Sequence, residues 1–146
     1  MQIFGGTFKQ LVEAYSQSTS AAMFYNESEK VQAVLCMTTF CRTEQLIRAL
    51  AFNLVTLWPW RNLVAVVLVS FNDEPQGARL RSLLVKHFRV ALSHGVLIYL
   101  ERNEDWDGWH ASYAKNTSHF LACEAYPDTM LVNVDGDSLA TTKFCE

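Results

Sequence analysis

Apolar residues follow two rhythms along this chain. Val31-Gln-Ala-Val-Leu-Cys-Met37 and residues 63–69 are almost uninterrupted runs, the pattern of strands buried on both faces. Between them Leu46, Ile47, Leu50, Leu54 and Leu57 fall on one side of a helix that Thr43 is placed to cap and Pro59 to stop. Leu46 stands where a capping box would have Glu or Gln. The alternation continues. Residues 77–93 predict one long helix burying Leu80, Leu83, Leu84, Phe88, Val90 and Ala91, with His94-Gly95 at its end. Residues 96–100 predict a third strand. Residues 109–126 predict a helix burying Tyr113, Phe120, Leu121 and Ala125, closed by Pro127-Asp128. Residues 129–134 predict a fourth, buried strand. Residues 1–30 read differently: Phe8, Leu11, Val12 and Tyr15 suggest a short amphipathic helix, and Asn26 to Lys30 a polar linker.

Strands alternating with helices imply an α/β domain over residues 31–146. The expected form is a three-layer sandwich around a mostly parallel, Rossmann-like sheet, with residues 1–30 as an extension. Ligands of such sheets bind beyond the carboxyl ends of the strands. Four polar loops converge there: residues 38–43, 70–75, 101–108 and 135–138. The last is the richest in chemistry. In Met130-Leu-Val-Asn-Val-Asp-Gly-Asp-Ser138 an apolar run ends in two carboxylates one glycine apart. Such a pair is costly to desolvate without a cation, and its hard oxygens suit Mg²⁺ or Mn²⁺. Asp, Gly and Ser are also ordinary turn residues, so a solvated turn explains the stretch equally well by itself.

Composition narrows the choice. The 146 residues are 50% hydrophobic and 18% charged, enough for one well-buried domain. A net charge of −3 without a basic run gives no case for nucleic acid. The start of the chain lacks a signal peptide's basic and apolar segments, and no apolar run is long enough to span a bilayer, so a cytoplasmic location is expected. Leu54-Val-Thr-Leu-Trp-Pro-Trp60 is expected in the core rather than on a membrane. Of the four cysteines, Cys36 and Cys123 sit in apolar stretches and read as buried free thiols. The sequons at Asn26 and Asn116 carry little meaning without a secretory signal. His110 and His119 have no evident partner and read as structural or surface residues. Trp106, Trp109 and Tyr113 suit core or lid packing better than stacking on a ligand.

The sequence has no P-loop, no G-x-G-x-x-G after the first strand and no G-x-S-x-G elbow. What remains is a site of acids, hydroxyls and an arginine. Asp73 can accept from a ribose hydroxyl or a base N–H, Arg42 can offer a fork to phosphate, and Asp135 and Asp137 can hold a cation against a diphosphate.

Over residues 31–146 this arrangement resembles the nucleotide-binding half of a GT-A type glycosyltransferase, close to the family 2-like group. The resemblance rests on the first strand with Thr38-Thr-Phe-Cys-Arg42, the second with Phe71-Asn-Asp73, the helix with Ala114-Lys-Asn116, and Leu131-Val-Asn-Val-Asp-Gly-Asp137. It implies a nucleotide-diphosphate sugar as donor and Mn²⁺ or Mg²⁺ as cofactor. It further implies that Asp135 and Asp137 hold the metal, with Asp135 also contacting the nucleotide-sugar. By the same resemblance Asp73 faces the nucleobase, Lys115 and Asn116 lie near the nucleotide-sugar, and Thr39 and Arg42 line the nucleoside. Ser138 departs from the acid or amide common in that family, and the loop at Asn72-Asp73-Glu74 lacks its Gly-Ser. The family's acceptor-binding half and catalytic base lie downstream of D-x-D, where this sequence ends, so the sheet is expected to be incomplete and the isolated chain to transfer sugar poorly. Its exposed sheet edge would favour self-association. Two other readings compete. One is a haloacid-dehalogenase-like phosphohydrolase with Asp135 as nucleophile, against which stand Leu139 and the motif's place after three strands. The other is a non-catalytic, degenerate α/β binding module.

Overall fold

The computed structural model describes residues 31–71, 75–102 and 110–139. The expected helix and linker within residues 1–30 lie outside that range, as do Asp73, Trp106 and Trp109. Its strands are β1 (Ala33–Thr39), β2 (Val64–Ser70), β3 (Leu97–Glu101) and β4 (Met130–Val134). Its helices are α1 (Thr43–Leu57), α2 (Gln76–His87), α3 (Arg89–Ser93) and α4 (Ala111–Ala125), and a 3₁₀ turn covers Trp58–Trp60. All strand pairs are parallel, in the order β3-β2-β1-β4. The α/β class expected from the sequence is therefore the one observed.

The two central strands are buried on both faces, which is why their sequences show no alternation. Ala33, Leu35 and Met37 of β1, with Val64, Val66 and Leu68 of β2, pack with α1, α2 and α3 in the larger core. Val34, Cys36, Val67 and Val69 pack on the opposite face with Ala114 and Ala122 of α4. All five apolar positions predicted on α1 are buried. Leu54, Val55, Leu57 and Trp58 are buried as well, so residues 54–60 belong mainly to the core. Among the described residues no helix is long and apolar enough to cross a membrane.

Four expectations are corrected. First, β1 and β2 run two and one residues further than their apolar runs, because the ladder continues through Thr38↔Val69 and Thr39↔Ser70. Thr38 and Thr39 therefore belong to a strand, not a loop. Second, Arg42 rather than Thr43 is the N-cap of α1; Thr43 is the buried first residue of the helix. Third, the long helix is two helices. Phe88 leaves helical geometry (φ −122°, ψ 28°) with its ring fully buried, and Val90 is exposed. Neither Gly nor Pro marks this break.

The fourth concerns α4 and β4. Phe120, Tyr113 and Ala125 are exposed, whereas Ala114, Ser118 and Ala122 are buried. These small residues recur every fourth position and let α4 lie close to the sheet. Cys123 on that helix is exposed, while Cys36 is buried as expected, with burial raising its thiol pKa to about 11. β4 is an edge strand whose residues are half-buried or exposed. It is not the doubly buried strand its apolar run suggested.

Candidate functional site

A cleft of about 550 Å³ opens at the carboxyl ends of β1 and β4. Thr39, Arg42, Gln45, Lys115, Asp135 and Asp137 are among the residues that line it. Each arrives there for a local reason. The N–H of Phe71 donates to the carbonyl of Thr39, extending the β1–β2 ladder and fixing the strand exit. Cys41 then takes a left-handed conformation (φ 58°), which turns the chain sharply into α1 and presents Arg42 at its start. A non-glycine residue in that region is strained, and strain of this kind gathers at functional turns.

The aspartate loop is a turn, as its composition suggested. The N–H of Ser138 donates to the carbonyl of Asp135 at 3.0 Å. Asn53, fully buried in α1, donates its side-chain N–H to the carbonyl of Ser138 at 3.0 Å. Gly136 lies so close to β1 that an added Cβ would stand 3.3 Å from the carbonyl oxygen of Thr38. The turn is thus seated against β1 and α1 from behind, and its two carboxylates project outward.

Both carboxylates meet cations. Lys115 Nζ of α4 lies 3.5 Å from Asp135 Oδ1, and Arg42 Nη1 lies 4.0 Å from Asp137 Oδ2. The four side chains are 42–74% exposed, so solvent and salt screen these pairs and each is weak alone. In the same cleft Thr39 is only 4% exposed, and its Oγ1 has no hydrogen-bond partner among the described residues. A buried hydroxyl without a partner costs free energy that a ligand's polar group would recover.

The structure therefore brings Thr39, Arg42, Lys115, Asp135 and Asp137 into one cleft, out of three separate stretches of sequence. Asn116, one residue beyond Lys115 on α4, is exposed and does not line it. His110 stands at the N-cap position of α4 without a side-chain cap bond and is exposed; His119 is half-buried, and its Nε2 has no hydrogen-bond partner among the described residues. Sequence reasoning passed over Gln45, Ala111 and above all Asn53. The signal for Asn53 was a lone amide inside the apolar run of a helix.

Among the described residues no group of three or more His, Cys, Asp or Glu converges on one point. Two carboxylates still fit a hard divalent ion. Mg²⁺ characteristically takes one or two protein carboxylates and fills its remaining positions with water and ligand phosphates. Asp135 and Asp137 are the residues that would hold it.

The four-stranded parallel sheet with helices on both faces, and a polar cleft at its carboxyl edge, define a Rossmann-like α/β fold. A solved structure that the chain resembles is a mannosyltransferase from Pyrobaculum calidifontis in complex with GDP-Man and Mn²⁺. The match has a TM-score of 0.51 and 16% identity, and covers 91% of this chain and 40% of that one. At that identity the likeness is one of fold, and this chain spans well under half of that protein's length. No family model matches the sequence, and no curated protein does.

Proposed function

We propose that this chain is the donor-binding part of a glycosyltransferase, holding a nucleotide-diphosphate sugar for transfer to an acceptor. The observation that carries this reading is the meeting of Asp135, Asp137, Lys115 and Arg42 around one cleft at the carboxyl edge of the sheet. A diphosphate needs cations, and a divalent ion needs carboxylates. This cleft offers both within ion-pair distance. Asp135 and Asp137 would hold such an ion, which would supply positive charge for a diphosphate leaving group. Lys115 faces the diphosphate. Thr39 offers its unpartnered hydroxyl to the nucleoside, Arg42 lines the same end, and Asp73 is assigned to the base.

The position of the aspartates in the turn after β4, the last of the described strands, favours this reading over a phosphohydrolase nucleophile after the first core strand. The bound complex of the mannosyltransferase neighbour makes GDP-mannose with Mn²⁺ the first ligand to test. Thermal unfolding is followed with GDP-mannose and UDP-glucose, each with and without Mn²⁺. A ligand at about a hundred times its Kd stabilises by roughly 2.7 kcal/mol. Stabilisation is expected with one donor, greater with Mn²⁺ present, and lost in Asp135→Asn. An unchanged melting temperature under every condition would leave a non-catalytic module as the better account. Trapping of a beryllofluoride adduct on Asp135 would favour the phosphohydrolase.

A further inference from the structure

Among the described residues that line the cleft, the charges balance. Among its described lining residues two carboxylates, Asp135 and Asp137, face two cations, Lys115 and Arg42, and the rest are uncharged. The pairing is one to one: Lys115 Nζ with Asp135 Oδ1, and Arg42 Nη1 with Asp137 Oδ2. These carboxylates are also the oxygens a divalent ion would take. A metal arriving alone must therefore displace two cations and leaves the cleft with excess positive charge. A diphosphate arriving alone finds both cations already held by carboxylates and leaves excess negative charge. Arriving together, a divalent ion and the doubly charged diphosphate of a nucleotide-sugar restore neutrality among these residues, and a free nucleoside diphosphate comes close to it.

We infer that Lys115 and Arg42 are exchangeable counter-ions. Paired as the structure shows them, they neutralise Asp135 and Asp137. When those carboxylates take a divalent ion, the two side chains turn to the diphosphate, so that metal and nucleoside diphosphate bind cooperatively. This deepens the donor-binding reading and rests on it. The geometry permits the exchange. Lys115 and Arg42 are 42% and 74% exposed in their side chains, so solvent stands ready to accompany their movement. A lysine carries its charge on a flexible four-carbon stem. The two cations come from different elements, α4 and the start of α1, and so approach a diphosphate from two sides. Linkage requires the effect to be reciprocal: whatever factor the metal adds to nucleotide affinity, the nucleotide adds to metal affinity.

Lys115→Met separates this exchange from a lysine that simply faces phosphate. Titration calorimetry measures MnCl₂ alone, GDP alone, and GDP in saturating Mn²⁺, with UDP in parallel. In Lys115→Met the exchange predicts that Mn²⁺ alone binds roughly two- to fivefold tighter, because its competitor is gone. Metal-free GDP changes by less than about twofold, because Lys115 was engaged elsewhere. GDP in Mn²⁺ weakens about tenfold. Arg42→Gln shows the same signs through Asp137, and Lys115→Arg restores wild-type behaviour. Melting curves confirm that each variant is folded. Equal weakening of GDP with and without Mn²⁺, or an unchanged Mn²⁺ affinity, overturns the exchange while the donor-binding reading stands. Failure of the wild-type chain to bind either nucleotide under any condition overturns that reading and the exchange with it.

Discussion

Asn53 shows how much of the site depends on single atoms. Its amide is fully buried and ties α1 to the carbonyl of Ser138, at the back of the aspartate turn. Asn53→Ala leaves that carbonyl without its partner and is expected to cost about 1–3 kcal/mol in urea unfolding. Because the turn carries Asp135 and Asp137, Mn²⁺ affinity should fall as well. An unchanged metal titration would show that the turn holds its shape unaided. Gly136 acts from the other side. A methyl there meets the Thr38 carbonyl at 3.3 Å and Leu46 at 3.6 Å, so Gly136→Ala should cost about 1 kcal/mol and displace the same two carboxylates. The acids could be read from sequence because two carboxylates after an apolar run are a conspicuous departure. Asn53 could not, since one amide in a helix gives no hint of a partner 85 positions away.

At the scale of elements, α4 sets the position of Lys115. Its inner face is made of Ala114, Ser118 and Ala122, so the helix lies close to β1 and β4. Ala114→Leu overfills that contact. It should cost about 1–3 kcal/mol and weaken nucleotide binding by moving Lys115, whereas Asn116→Leu on the exposed face should leave stability nearly unchanged. The strands and their order along the chain were legible because β-branched runs between polar loops have few other uses. The buried side of α4 was not. Two of its large apolar residues, Tyr113 and Phe120, are exposed, while Ala114, Ser118 and Ala122 are buried and Leu121 packs beside them, which partly reverses the usual size rule. A second element carries its own pH dependence. Burial would raise the Glu101 pKa, but the Arg81 Nε–H at 2.6 Å and the Tyr99 hydroxyl at 2.9 Å outweigh it and hold the carboxyl below its ordinary value. Such a group stabilises the fold above the unfolded carboxylate pKa, about 4.3, and loses that contribution as pH falls through its lower folded value. Arg81→Met should therefore be less stable than wild type at pH 7 by under about 1 kcal/mol, given the exposure of the pair. The gap should close in acid. A gap that persists at pH 2 would assign the loss to packing instead.

Among the described strands the sheet ends at β3 and β4, and β4 is the one beside the site. Met130 donates its N–H inward to the carbonyl of Gln32. By strand alternation Val132 and Val134 also turn inward, while Leu131 and Asn133 turn their N–H groups to the open edge. Amide exchange should be slowest in β1 and β2. Along β4 it should alternate, with Leu131 and Asn133 exchanging fastest. Uniform slow exchange that appears only at high protein concentration would show a second chain pairing along that edge. The same order β3-β2-β1-β4 has a kinetic consequence. β1 is the first described strand, yet its partner on one side is the last, and almost the whole described chain separates Ala33 from Met130. Closing so long a loop is entropically costly and slows folding. The β1–β2–β3 core can assemble before β4 arrives. Asp135 and Asp137 can meet Arg42 and Lys115 only once β4 has docked on β1, so among the described elements the cleft depends on closing this longest loop.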